Sequence, residues 1–450
     1  MEKLTSPFFL FLGDSDREGV TSKLKAAGIP YKKKLLESGV ANWEKIISLF
    51  DDEDLFERHE LTGVIVKLTN NTFIRMVSQE YLQATQKLLR RISHIPHIVF
   101  VHESFFLEDN ANEDSDDSFY SHFFGNVPPE IRTVITDLFA EYDLNIAPYR
   151  TNAELSILAA EFVDDSGRRL IFRLYVPAKR MWAGETDKIL NLFRDYLNRV
   201  SGLQVRQEQY ATSQGVVYEL FADKDVDPTS LPQEFEDFSR FLDACAIDPN
   251  LAQELLSAAG LDDVIVHDIV ARYAKEAKRL QVDLKHERER KILGIRHRME
   301  SELVDAVGSD ADWASVNRLI ELTVPGVSGV STAISFAGPR PLPPASRDLT
   351  INVRPQIINS VHAIVAQEVT GTQNISTEAG QLLELIGKFG GKQSVDLTSA
   401  VYELEDKEAK PESRLGARQR IKAFLYKLGS KVSDTAFTIL QSYIESKIGI

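Results

Sequence analysis

At 450 residues the chain is too long for a single hydrophobic core, and its 43% apolar and 26% charged residues are the composition of folded globular proteins, which excludes wholesale disorder or a collagen-like repeat. A formal charge of −15 works against general affinity for a phosphate backbone, so nucleic acid is not an expected partner. No run approaches about 18 uninterrupted apolar residues, the apolar stretch near the N-terminus is too short for a signal-peptide core, and the lone Cys245 cannot form an internal disulfide, so a cytoplasmic chain without membrane association is expected.

Residues 8–107 alternate in type. The pattern predicts strand 8–12, helix 17–27, a short extended piece 29–36, helix 41–50, strand 62–69, helix 77–93 and strand 97–103. The strand runs "FFLFL", "GVIVKL" and "HIVFV" are apolar throughout, as strands of a parallel sheet covered on both faces are. An α/β domain over 1–107 follows, then an acidic linker at 108–127, because "EDNANEDSDDS" carries six acids and nothing apolar larger than alanine.

From 128 to 225 a small α+β domain is expected. "LSILAAEFV", the turn "DDSG" and "RRLIFRLYV" read as a hairpin, followed by a helix at 185–200 and the strands "LQVRQEQYA" and "GVVYELFA", a ββαββ order. A helical region covers 226–310. Within it Val266, Ile269, Tyr273, Ala277, Leu280, Leu284, Ile292, Ile295, Met299, Leu303 and Ala306 step by threes and fours, which predicts one long helix over 266–306 with Arg288 interrupting its apolar stripe. A helix of that length bridges parts of a protein or pairs with another, so assembly into a homo-oligomer or a larger protein complex is expected. A proline- and glycine-rich connection spans 311–355, and a helical C-terminal domain spans 356–450, with helices near 356–369, 377–388, 396–404 and 414–448.

The familiar catalytic signatures are absent: no phosphate-binding GxxxxGK[ST] loop, no GxGxxG after a strand, no HExxH and no GxSxG. His94, His97 and His102 cluster, but strand geometry points 94 and 97 to opposite faces and no cysteine or HxH pair accompanies them, so structural or surface histidines are favoured. "RRISH" and "KHERERK" read first as solvated helix faces.

The order and spacing of residues 8–103 resemble the TIR domain. "FFLFLGDSDREGVTSKLKAAGI" is similar to the family's first strand, charged turn and helix; "ESGVANWEKIISLF" to the glycine, tryptophan and isoleucine pattern after its second strand; "LTGVIVKLTNNTF" to its third strand and following loop. "QEYLQATQKLLRRI" with "HIVFVHES" resembles the helix bearing a glutamate and the fourth strand. The resemblance implies a flavodoxin-like parallel sheet, a role in immune signalling such as prokaryotic antiviral defence, and hydrolysis of NAD, which would be a substrate, with no cofactor required. It places the ribose-contacting glutamate at Glu80 and the aromatic before it at Phe73. Two features differ: the aromatic and serine before the glutamate match only loosely, at Phe73 and Ser78, and the first strand enters "GDSD" instead of a serine-rich turn.

The chemistry is coherent on the residues alone. Cleaving nicotinamide from ribose develops positive charge on the sugar, and a carboxylate such as Glu80 can oppose it while an aromatic such as Trp43 stacks on a ring. Asp14 and Asp16 follow the first strand, where open parallel sheets bind ligands. Each residue has a plain structural alternative: Glu80 as a helix-surface acid, Trp43 as core, and the aspartates as helix caps. Two functions remain open at this point, an NAD-hydrolysing effector fused to a sensing and assembly region, or a non-catalytic scaffold within a complex.

Overall fold

The first strand, β1 (Ser6–Leu12), is buried along nearly its whole length because helices cover both its faces. The structure, a computed structural model, describes residues 6–13, 20–52, 59–106, 127–222, 230–258, 260–303, 310–327, 365, 376–428 and 434–447. In chain order β1 is followed by α1 (Val20–Ala26), β2 (Tyr31–Lys34), α2 (Val40–Ser48), β3 (His59–Leu68), α3 (Asn70–Val77), α4 (Leu82–Ser93), β4 (His97–His102), α5 (Pro129–Glu141), β5 (Ile146–Tyr149) and α6 (Asn152–Gly167). The strands form one parallel sheet in the order β2-β1-β3-β4-β5. Phe8, Leu10 and Leu12 face a core shared with α2 to α5, whereas Phe9 and Phe11 face α1 and α6, so period-two alternation serves two apolar layers.

This sheet corrects three sequence expectations. The α/β domain does not end at 107, because β5 adds a fifth strand and α6 packs on the sheet. The helix expected over 77–93 begins only at Leu82, after a turn at 78–81, and a separate helix over Asn70–Val77 precedes that turn. "LSILAAEFV" is helix and not the first arm of a hairpin: Leu155, Leu158, Ala159 and Val163 share one buried helical face, and the Thr151 hydroxyl caps the helix by accepting from the Glu154 N–H. That segment is apolar on both the strand and the helix period, and the T-x-x-E start decides it.

The chain continues through β6 (Leu170–Pro177), α7 (Ala183–Arg199), β7 (Val205–Ala211), β8 (Gly215–Ala222), α8 (Leu231–Ile247), α9 (Pro249–Ala258), α10 (Asp263–Leu303), α11 (Asp310–Thr323), α12 (Thr377–Phe389) and α13 (Ser394–Glu405). The α+β element is therefore β-α-β-β, an antiparallel sheet in the order β6-β8-β7. Helix α10 runs unbroken through Arg288. That arginine leaves the apolar stripe because its guanidinium caps the end of α11, donating to the carbonyls of Pro325 and Glu321, both at 2.9 Å. Residues 311–323, expected within the proline-rich connection, are thus helical; the expected linker 108–127 but for Val127, residues 304–306 of the expected long helix, the connection beyond 327 and the helix expected at 356–369 but for Val365 lie outside the described residues.

A buried polar seam joins α13 to this second sheet. Arg173 donates to Glu219 (2.5 Å) and to Glu403 (2.6 Å), while the hydroxyls of Tyr175 and Thr212 donate to Asp406. Nearby acids hold the Arg173 guanidinium charged in spite of its burial, which alone would lower its pKa.

The last two helices, α14 (Pro411–Leu428) and α15 (Asp434–Ser446), stand where one helix over 414–448 was expected. The first of them returns to the first sheet, packing on β5, and the second packs on that helix. The chain divides into one unit of Met1–Arg168 with Lys410–Ile450 and a second of Arg169–Ala409, so the expected C-terminal domain of 356–450 is shared between units.

Candidate functional site

Strand order reverses across β1. The helix following β1 packs on one face of the sheet and the helix following β3 on the other, the switch point at which open α/β sheets usually hold a ligand, in a crevice beyond the carboxyl ends of the strands. Three loops are stitched together there. Thr69, the cap of α3, accepts from the Thr72 N–H and donates to Glu37 at 2.6 Å, tying the β3–α3 loop to the β2–α2 loop. The Ser38 carbonyl accepts from Arg75 Nη1 (2.7 Å) and from the Tyr81 hydroxyl (2.9 Å), which ties the turn at 78–81 to the same β2–α2 loop.

Glu80 lies in that turn and not on a helix as expected, and its side chain is exposed. Trp43 and Phe73 are corrected to core. The Trp43 indole is 1% exposed, donates to the Leu36 carbonyl at 2.9 Å and meets the Tyr81 ring edge-on at 5.3 Å, so it braces the loops and offers no face to a ligand. Phe73 is equally buried, packed on Phe105 and Phe139. Asp14 and Asp16 lie outside the described residues.

Gly13 ends β1 at the crevice with φ of +78°, and a Cβ there would stand 2.2 Å from the Lys67 carbonyl oxygen. Only glycine lets β1 turn so close to β3. At the other half of the same edge, sequence reasoning missed a buried charge cluster. Glu103, just past β4, accepts from Lys422 of α14 at 2.6 Å, and Lys422 also lies 3.6 Å from Glu445; Glu154, at the start of α6, accepts from Arg418. Burial alone would raise the Glu154 carboxyl, but the Arg150 backbone N–H, the Arg418 guanidinium and Lys422 outweigh it and hold the group below its usual range. No signal could have found these pairs, whose members are 319 and 264 residues apart.

Of the three clustered histidines, His94 is exposed and His97 is structural. His97 is buried, its Nδ1 against the Ile95 carbonyl and its Nε2 accepting from the Asn145 N–H, with burial lowering its pKa. Among the described residues no group of acids, histidines and cysteines could hold a metal ion, and no helix is long and apolar enough to cross a membrane. The "RRISH" arginines border a second concavity of about 390 Å³ with Ile47, Gln83, Gln86 and Lys87, in which Arg91 is paired with Asp51 at 2.8 Å. Comparison with protein-family models, curated proteins and solved structures finds no match.

Proposed function

We propose that the first unit is a flavodoxin-like, TIR-like module that cleaves NAD at the carboxyl edge of its parallel sheet, and that the second unit senses a trigger or drives assembly. The observation that carries this reading is the all-parallel order β2-β1-β3-β4-β5 with the exposed Glu80 turn tied to the β2–α2 loop at that edge. A carboxylate at this place can hold ribose hydroxyls and oppose the charge that develops as nicotinamide leaves. Water then takes the anomeric carbon, the electron pair of the broken C–N bond leaves on nicotinamide, and a proton is released. In a cell this describes a cytoplasmic, oligomeric effector of a defence system.

Purified full-length protein incubated with NAD, with Glu80→Gln in parallel, tests the reading. Loss of an electrostatic contact used in the transition state costs roughly 3 kcal/mol, about a hundredfold in rate. The melting temperature should not move, since a surface substitution changes stability by at most about 0.5 kcal/mol. Nicotinamide release at the wild-type rate by Glu80→Gln would remove Glu80 from the chemistry.

One observation favours a non-catalytic scaffold: both aromatic rings matched to the site, Trp43 and Phe73, are core. Under that reading the wild-type protein releases no nicotinamide with any trigger.

A further inference from the structure

We infer that α14 is a releasable strap over the β4–β5 half of the sheet's carboxyl edge, through which the second unit controls that edge. As a statement about regulation it rests on the proposed site at this edge, but the strap itself is defined by its own contacts. Helix α14 packs on β5, α6 and α15. Lys422 reaches Glu103 at the end of β4, Arg418 reaches Glu154 at the start of α6, and the Tyr426 ring stacks on Phe106 at 4.6 Å. The helix therefore packs on the edge strand β5 and reaches the ends of β4 and β5 through its long side chains.

Its buried surface mixes two kinds of residue: Leu415, Ala417, Ile421, Phe424, Leu425 and Leu428 are core types, while Ser413, Arg418, Gln419 and Lys422 are polar types that interiors seldom take in. Gln419 is 2% exposed, and among the described residues neither its Nε2 nor its Oε1 has a hydrogen-bond partner, nor do the buried Arg418 Nε and Tyr426 hydroxyl. Helical spacing puts Leu415, Gln419, Lys422 and Tyr426 on one face, so the unpaired amide points the same way as the lysine that makes the ion pair. Release would hydrate every one of these groups, whereas the docked state leaves four polar atoms unsatisfied and two ion pairs desolvated. Such an interface opens below the free energy of global unfolding.

Connectivity supplies the control. The second unit begins at Arg169, just after α6 ends at Gly167, and ends at Ala409, just before α14 begins at Pro411. Its two covalent ends thus run into two helices that pack on each other, with Gly416 of α14 lying against Glu161 of α6. Any change in the spacing of those ends acts first on the α6–α14 contact and the ion pairs beside it.

Hydrogen-exchange mass spectrometry on the full-length chain tests this without NAD, so it does not depend on the activity. Amides of α14 should exchange at least about tenfold faster than those of β1 and β3. Lys422→Met, which strands Glu103 as a buried unpaired charge, should speed α14 exchange about a hundredfold while β1 and β3 keep wild-type protection. Gln419→Leu, which removes the unpaired amide at similar volume, should slow α14 roughly tenfold. The inference is overturned by α14 exchanging in step with β3 in the wild type, by Lys422→Met leaving α14 unchanged or exposing β1 and β3 as well, or by Gln419→Leu failing to slow α14. Nicotinamide assays on the same variants separate the two ideas: a strap that opens in a protein with no NAD turnover leaves this inference standing and removes the enzymatic reading.

Discussion

Gly13→Ala probes the geometry of the crevice directly. Two costs fall on it. The backbone there has φ of +78°, where a side chain costs about 1–2 kcal/mol. The new Cβ would also stand 2.2 Å from the Lys67 carbonyl oxygen, when 3.0 Å is the closest such contact real structures show, so β1 and β3 must part by about 0.8 Å. Strand β3 cannot yield easily, being paired to β1 on one side and β4 on the other, with Lys67 opposite Phe100. Overpacking of this kind adds about 2–3 kcal/mol, which brings the whole effect to about 3–5 kcal/mol. Gly28→Ala is the internal control: its φ is +70°, but nothing lies within 4 Å of the added Cβ, so only the cost of about 1–2 kcal/mol applies. Hydrogen exchange of β1 and β3 peptides across a urea series reads both variants on the unit concerned. If the two destabilise to within about 0.5 kcal/mol of each other, the close approach of β1 to Lys67 is not the reason for glycine at position 13.

Arg173→Leu should destabilise the second unit by about 3–5 kcal/mol, because Glu219 and Glu403 are left buried without their cation; loss of α13 protection ahead of α10 is the expected sign, and unchanged α13 exchange would count against the seam as its anchor. Acid should loosen the α6–α14 contact. The folded Glu154 carboxyl lies below its unfolded value, so its contribution is complete above the ordinary carboxylate range and is lost as pH falls through the folded value. Exchange of α14 measured down an acid series should accelerate in that window, and Glu154→Gln should flatten the dependence without reversing it.

Local periodicity made several elements legible before any fold was known. Helix α10 is written in apolar steps of three and four, and the centres of β1, β3 and β4 in short apolar runs, because each pattern is set by the residue's own neighbours on one helix or strand. Where a segment is apolar on both periods, as over 155–163, pattern alone misreads it, and the cap at Thr151 is the remaining local signal. Trp43 and Phe73 show a different limit: an aromatic beside a site and an aromatic beneath one look alike in a sequence, and only the packing of Tyr81, Phe105 and Phe139 around them makes them core. The charge cluster at the sheet's carboxyl edge left no trace in the linear pattern. Glu103 and Glu154 find their cations on α14 after an intervening unit of more than two hundred residues, and an ion pair between such distant positions depends on where the folded chain returns, which no local spacing encodes.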